Sequence, residues 1–198
     1  KDENVKVVVL KGSEKAFSAG GDIGFFYEQV QAGGEISLDD LIARVGTLAD
    51  NMKKMSKLII TSVCGAAAGA GVSLALGGDF LVCADNAKFI LAFVNLGLVP
   101  DTGAAYLLSK SIGAARAFEL SATGRPMGAE EAKELGLAYK VVPKEELDET
   151  VMGLAKKLSA GQLIAYKNIK KQIYESSFAD YKNWLDHVEA PTQHECAL

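Results

Sequence analysis

Hydrophobic and polar positions change period several times along the chain, and the changes mark out elements. Residues 5–10, 58–63 and 79–84 are short β-branched or apolar runs, with weaker examples at 87–91 and 139–142; such runs predict strands. Val7 to Leu10 and Phe80 to Cys83 do not alternate with polar residues, which predicts strands covered on both faces. Apolar positions at helical spacing, Leu41, Ile42, Val45, Leu48 and Met52, predict a helix over 38–55. Shorter helical patterns follow at 71–76, 102–109, 114–122 and 128–135, then longer ones at 144–158 and 161–187. Strands alternate with helices early and helices dominate late. The pattern is that of an α/β protein with a helical C-terminal third.

One stretch, residues 58–78, has no charged residue and is long enough to cross a bilayer. Its first half is β-branched and its middle is glycine and alanine, so strand, glycine turn and buried helix are expected, and no membrane span. Composition agrees: of 198 residues, 49% are apolar and 23% charged, the balance of an ordinary globular domain. Acidic residues outnumber basic ones, 25 to 21, which argues against nucleic acid as a partner. Cys64, Cys83 and Cys196 are too few and too scattered for a disulfide framework or a zinc site, so reduced thiols, no metal and a cytoplasmic setting are expected. The only histidines, His187 and His194, lie near the C-terminus. The charges of the late helices, including Lys167 to Lys171, read as a solvated face, with Lys170 and Lys171 as candidates to meet a phosphate.

Glycine is the compositional anomaly. Gly65, Gly69, Gly71, Gly77 and Gly78 are interleaved with alanines, and glycine weakens regular structure unless the backbone must turn or approach something closely. Two segments, 15–23 and 64–73, follow strands and lead into helices. Backbone N–H groups in such places can meet a negatively charged oxygen. Each also has a plain structural reading: a turn capped by Asp22 in the first, close helix-to-sheet packing in the second. The second segment further resembles a dinucleotide fingerprint with its third glycine replaced by Leu74. Gly71-Val72-Ser73-Leu74-Ala75 nearly reads as a serine-hydrolase elbow, but the histidines are remote in sequence.

Taken together the segments become specific. Ala16-Phe17-Ser18-Ala19-Gly20-Gly21-Asp22, then Cys64 to Gly71, then Gly97-Leu98-Val99-Pro100-Asp101 resemble, in order, the motifs of the enoyl-CoA hydratase/isomerase (crotonase) family. The likeness continues through Thr123 to Met127 and Ala129 to Leu137. It implies a crotonase-like fold, a spiral of ββα units with a helical C-terminal region, and an acyl-CoA substrate whose thioester oxygen lies between two backbone N–H groups. Matched by position, those donors are Gly21 and Ala70. Ala19, Asp22, Ile23, Gly24, Gly69 and Phe93 would meet the substrate, coenzyme A being part of it and no other cofactor being needed. The resemblance also implies a homotrimer or hexamer.

The family's hydratases use two glutamates, which would fall at Ser73 and Phe93, and neither residue is a carboxylic acid. Asp101 matches the acid of the family's isomerases, and the Gly-Leu-Val-Pro-Asp form resembles the ring-epoxide isomerases. One carboxylate suffices to move a double bond. A pocket of Phe93, Val94, Leu96 and Leu98 is expected to raise its pKa; otherwise Asp101 merely caps the helix that follows. The sequence therefore points to an acyl-CoA double-bond isomerase. Hydration or another reaction of the family, a non-catalytic acyl-CoA-binding module and a serine hydrolase are the alternatives, and an acyl-carrier-protein thioester is a possible substrate. The resemblance divides the chain into an α/β core, 1–142, and a helical region, 143–198. Relatives usually carry further elements at both ends, so both termini look shortened, and an organelle matrix remains open beside the cytoplasm.

Overall fold

A computed structural model describes residues 2–22, 24, 28, 31 and 38–197. Ile23 lies outside the described residues, as do Gly33 and Gly34, the most loop-like stretch in the first half of the sequence.

Two four-stranded sheets are built from paired strands. β1 (Val7–Lys11), β3 (Leu58–Val63), β5 (Phe80–Ala84) and β8 (Lys140–Val142) form one sheet in the order β1-β3-β5-β8, all parallel. The short strands β2 (Ala16–Ser18), β4 (Ala66–Ala68), β6 (Lys88–Ile90) and β7 (Pro126–Gly128) form the second, parallel except where β7 runs against β6. Each long strand is thus followed by a three-residue strand in the other sheet, and then by helix: α1 (Leu38–Lys54) after β2 and α2 (Ala70–Gly77) after β4. This is the ββα spiral.

The central strands β3 and β5 are buried almost throughout, as the unbroken apolar run predicts for β5, whereas β1, for which the same was expected, is only half-buried at the edge of the sheet. Side chains alternate across β5. Leu81 and Cys83 join the core formed with α2 and the helices α3 (Ala104–Ile112), α4 (Ala114–Thr123) and α5 (Ala129–Glu134). Val82 and Ala84 face the other way, onto α6 (Leu147–Ser159) with Val151, Ala155 and Leu158. The uncharged stretch 58–78 is β3, a turn, β4 and α2, and among the described residues no helix is long and apolar enough to cross a membrane.

The structure corrects the sequence pattern in three places. The strands β2, β4 and β7 were not expected; β2 and β4 consist mainly of small residues with weak strand preference. The single helix expected over 161–187 is broken: α7 (Leu163–Ser177) ends at Phe178, α8 (Tyr181–Trp184) restarts, a π turn (Leu185–Glu189) follows, and α9 (Ala190–Ala197) makes the His194 segment helical. Lys170 is buried, and its ammonium is taken up inside the protein. Its Nζ donates to the carbonyls of Met52 (2.9 Å) and Lys57 (3.2 Å) and to Asp79 Oδ2 (2.8 Å), while the same oxygen accepts from the Ile59 N–H (2.8 Å). Lys171 is exposed.

This cluster fastens α7, whose only other buried residue is Tyr174, to the first turn of the core. Removing one member of a buried ion pair strands the other and costs roughly 3–5 kcal/mol. Lys170→Ala should therefore lower the unfolding free energy by about 3 kcal/mol in denaturant titrations, and Lys171→Ala should leave it unchanged.

Candidate active site

The site grows from the ends of β2 and β4. These strands pair Ala16 with Ala66 and Ser18 with Ala67, so the register shifts between the two pairs. The additional residue, Phe17, is buried in the core. A bulge of this kind redirects a strand, and here the chain beyond Ser18 comes across the end of β4. The Gly20 N–H turns back onto Ser18 Oγ (3.2 Å). Gly20 has a φ of 88°, and a Cβ there would sit 2.9 Å from the Ala68 carbonyl and 3.3 Å from the Ala70 nitrogen. Only glycine combines that left-handed conformation with so close an approach.

Gly21 is exposed immediately after this contact, and Ala70 opens α2 across from it. The Gly69 N–H continues the ladder to the Ile90 carbonyl (2.9 Å), and its own carbonyl accepts from Val72 (2.9 Å). Ala70 is left as the first residue of the helix, where N–H groups have no intrahelical acceptor. Phe93 is buried, with its ring 3.8 Å from where a Cβ on Gly69 would stand. The fold thus brings together Gly20, Gly69, Ala70 and Phe93, with Gly21 the next residue in the chain. Ala19, Asp22 and Gly24 are exposed on the chain leaving this point.

One helical turn into α2, Ser73 is 2% exposed and its hydroxyl donates to the backbone carbonyl of Asp101 (2.7 Å). That bond ties the first turn of α2 to the segment carrying the acid. It also gives the near-elbow motif a structural use, since the Ser73 hydroxyl is donated away from any base. Of the histidines, His187 is exposed with Nδ1 on the Asn183 carbonyl of its own helix (3.0 Å), and His194 is exposed on α9.

Asp101 does not cap α3. Its carboxylate accepts from Thr102 Oγ1 (2.9 Å), while the helix start at Gly103 is served by Glu189, whose Oε2 accepts the Gly103 N–H at 2.8 Å. Three residues from the end of the chain hold this segment. Besides Glu189, Gln193 Oε1 accepts the Val99 N–H (3.1 Å) and the Tyr181 hydroxyl reaches the Thr102 carbonyl (3.4 Å). The turn so held is strained: Thr102 is buried with a φ of 55°, a conformation that is an outlier for a β-branched residue. Gly103 is equally constrained, with φ 84° and the Tyr181 ring filling the space of any side chain.

Burial of Asp101 pushes its carboxyl up to about 6, against the opposing pull of the Thr102 hydroxyl. The expected pocket is only partly its cause. Phe93 is buried and Leu98 packs on the core, but Val94 and Leu96 are 41% and 54% exposed; the turn is closed from the other side by the C-terminal helices. Glu189, 2% exposed, is pushed further, up to about 8, by burial outweighing the Gly103 and Thr102 N–H bonds, with the Asp101 charge adding to the rise.

Sequence reasoning missed Glu189 and Gln193. Tyr181, Leu185, Glu189 and Gln193 are all buried and recur every four residues. On an α-helix of 3.6 residues per turn such a stripe would drift by about 40° at each step; the wider π turn keeps it on one face. An acid and an amide continuing an apolar stripe were the available signal.

A model described as enoyl-CoA hydratase/isomerase matches residues 1–193. The chain belongs to this family. Among its curated members, the trans-2-decenoyl-[acyl-carrier-protein] isomerase of Streptococcus mutans is 36% identical over 94% of this chain and 71% of its own length. The 1,2-epoxyphenylacetyl-CoA isomerase of Escherichia coli is 37% identical over the same shares. A crystal structure of an enoyl-CoA hydratase from Mycobacterium avium subsp. paratuberculosis superposes with a TM-score of 0.89 at 29% identity, covering 99% of this chain and 76% of that one. The crotonase fold is therefore the fold of this protein, with isomerases and hydratases alike among its relatives. Among the described residues no cluster of His, Cys, Asp and Glu suited to a metal occurs.

Two outcomes follow from this geometry. Gly20→Ala should push the ends of β2 and β4 apart, lower kcat/KM on enoyl thioesters by roughly 10- to 100-fold, measured by a spectrophotometric assay, and lower the thermal transition as well. Asp101, whose folded pKa of about 6 lies above its ordinary value, favours the fold when protonated. Its contribution is fully present below the ordinary value of 3.8 and is lost as the pH rises through about 6. In thermal scans, Asp101→Asn should match the wild type at about pH 3 and exceed it at about pH 8.

Proposed function

We propose that the protein is an enoyl-thioester double-bond isomerase. In this reading the substrate carbonyl oxygen lies between the N–H groups of Gly21 and Ala70. The Asp101 carboxylate removes a proton from the carbon next to the carbonyl of a 3-enoyl thioester. The electron pair moves into the carbonyl, and the negative charge develops on the oxygen that the two donors face. Asp101 then returns the proton two carbons away, leaving the 2-enoyl thioester. Donors fixed in place before reaction stabilise that charge most, each by about 3 kcal/mol.

The observation that carries the reading is that Asp101 is a half-buried acid that does not cap the helix after it. Glu189 takes the Gly103 N–H, Ser73 holds the Asp101 backbone against the first turn of α2, and the carboxylate accepts from the Thr102 hydroxyl. A carboxyl raised to about 6 is matched to moving a proton near neutral pH. Ser73 and Phe93, at the positions of the two hydratase glutamates, supply no carboxylate; this favours isomerisation over two-glutamate hydration. The names of the two isomerase relatives suggest thioesters of either coenzyme A or an acyl-carrier protein, with coenzyme A entering only as part of the substrate. Ala19, Asp22, Ile23, Gly24, Gly69 and Phe93 are proposed to meet that substrate. Assembly as a homotrimer or hexamer and a cytoplasmic setting belong to the same proposal.

Conversion of 3-enoyl-CoA to 2-enoyl-CoA tests it. The wild type should turn over with kcat/KM rising with pH to a plateau, its midpoint at about 6, because the base must be ionised. Asp101→Asn should lose on the order of 10³-fold in kcat with little change in KM, general acid–base groups being worth about 10² to 10⁴. Wild-type turnover by that variant would sink the assignment. Water addition to 2-enoyl-CoA in the same assay would instead identify a hydratase. Binding without exchange of the α-proton in heavy water would identify a non-catalytic module.

A further inference from the structure

We infer that Glu189 is a positioning residue for Asp101, supplied by the C-terminal helices to hold the strained turn in which the acid sits. The inference rests on Asp101 being the proton carrier proposed above. Helix α3 begins without a side-chain cap of its own. The N-cap position is Gly103, which has no side chain to offer; Thr102 before it has its Oγ1 on the Asp101 carboxylate, and Asp101 itself is not at the helix N–H groups. Glu189 takes the vacated role from 86 residues away, its buried Oε2 on the Gly103 N–H.

The exchange has a physical logic. A carboxylate at a helix start is favourable, so without Glu189 the natural relaxation is for Asp101 or Thr102 to swing onto the free N–H groups. Thr102 would at the same time shed its φ of 55°. Either movement withdraws the acid from the end of α2. Glu189 occupies the N–H first and so keeps Asp101 available. The π turn that ends at Glu189 brings the carboxylate onto the buried face.

Steady-state kinetics of 3-enoyl-CoA isomerisation test this in four proteins alongside the wild type. Glu189→Ala should lower kcat by roughly 10- to 100-fold, the scale of a displaced catalytic group, with KM within about threefold because the thioester donors are untouched. Glu189→Gln keeps an oxygen for the Gly103 N–H and should restore most of that loss. The double variant Asp101→Asn/Glu189→Ala should be no slower than Asp101→Asn alone, since Glu189 acts through Asp101. A Glu189→Ala kcat within twofold of wild type, a Gln variant no better than Ala, or losses that multiply in the double variant would overturn the inference. If Glu189→Ala does not fold, Glu189→Asp, shortened by one methylene, replaces it and must lower kcat at constant KM. Full activity in Asp101→Asn alone would remove the isomerase reading instead, so the two failures are distinguishable.

Discussion

The site depends on one backbone-to-backbone approach, Gly20 against Ala68 and Ala70. Everything that converges there is main chain, and main chain can converge only where no Cβ intervenes. The bulge in β2, the glycine at its end and the alanines of β4 follow from that requirement. So does the early burial of Phe17, which anchors the strand that must bend. The long strands need none of this economy in side-chain size. β3 and β5 carry Val, Ile, Leu and Phe, fill both cores, and provide the rigid layer from which the small strands project.

A second level of organisation concerns the acid. Its backbone is tied to α2 by Ser73, and its turn is clamped by Gln193, Tyr181 and Glu189 from the opposite end of the chain. The C-terminal helices are themselves fastened by an apolar cluster, in which Tyr174, Tyr181 and Leu185 pack with Tyr106 and Leu107, and by polar contacts: Lys170 on Asp79 and two carbonyls, and the Tyr174 hydroxyl on Asp50 Oδ1 at 3.1 Å. Polar contacts inside the molecule thus hold α7 to α1 and to the start of β5, and the helices after it to the turn that carries Asp101. Two buried carboxyls at that turn are destabilising when ionised, a cost of the kind that folds tolerate where chemistry requires it.

Much of this was legible in the residues themselves. The unbroken apolar run of β5 is what a doubly covered strand must look like, and three ordered motifs carried the family resemblance and, with it, the fold. The remainder escaped for identifiable reasons. Three-residue strands such as Ala66–Ala68 are too short to display a period. Lys170 sits in a run of lysines whose pattern is that of a solvated surface, and only the fold reveals that one of them points inward. Glu189 and Gln193 are polar residues on an apolar stripe, and the four-residue spacing that betrays them is not the spacing of an α-helix. The expected pocket around Asp101 failed in Val94 and Leu96 because the short helix of Ala92–Leu96 turns them outward.

The pairing of β2 with β4 has a metric consequence. Neighbouring strands in a sheet stand about 4.8 Å apart. Two hydrogen-bond donors at about 2.9 Å from one oxygen, separated by a tetrahedral angle of about 110°, are themselves about 4.7 Å apart. Turns issuing side by side from adjacent strands therefore begin at the separation that a shared anion demands. The sheet acts as a ruler, its strand spacing matching the distance between two donors proposed to share one oxygen.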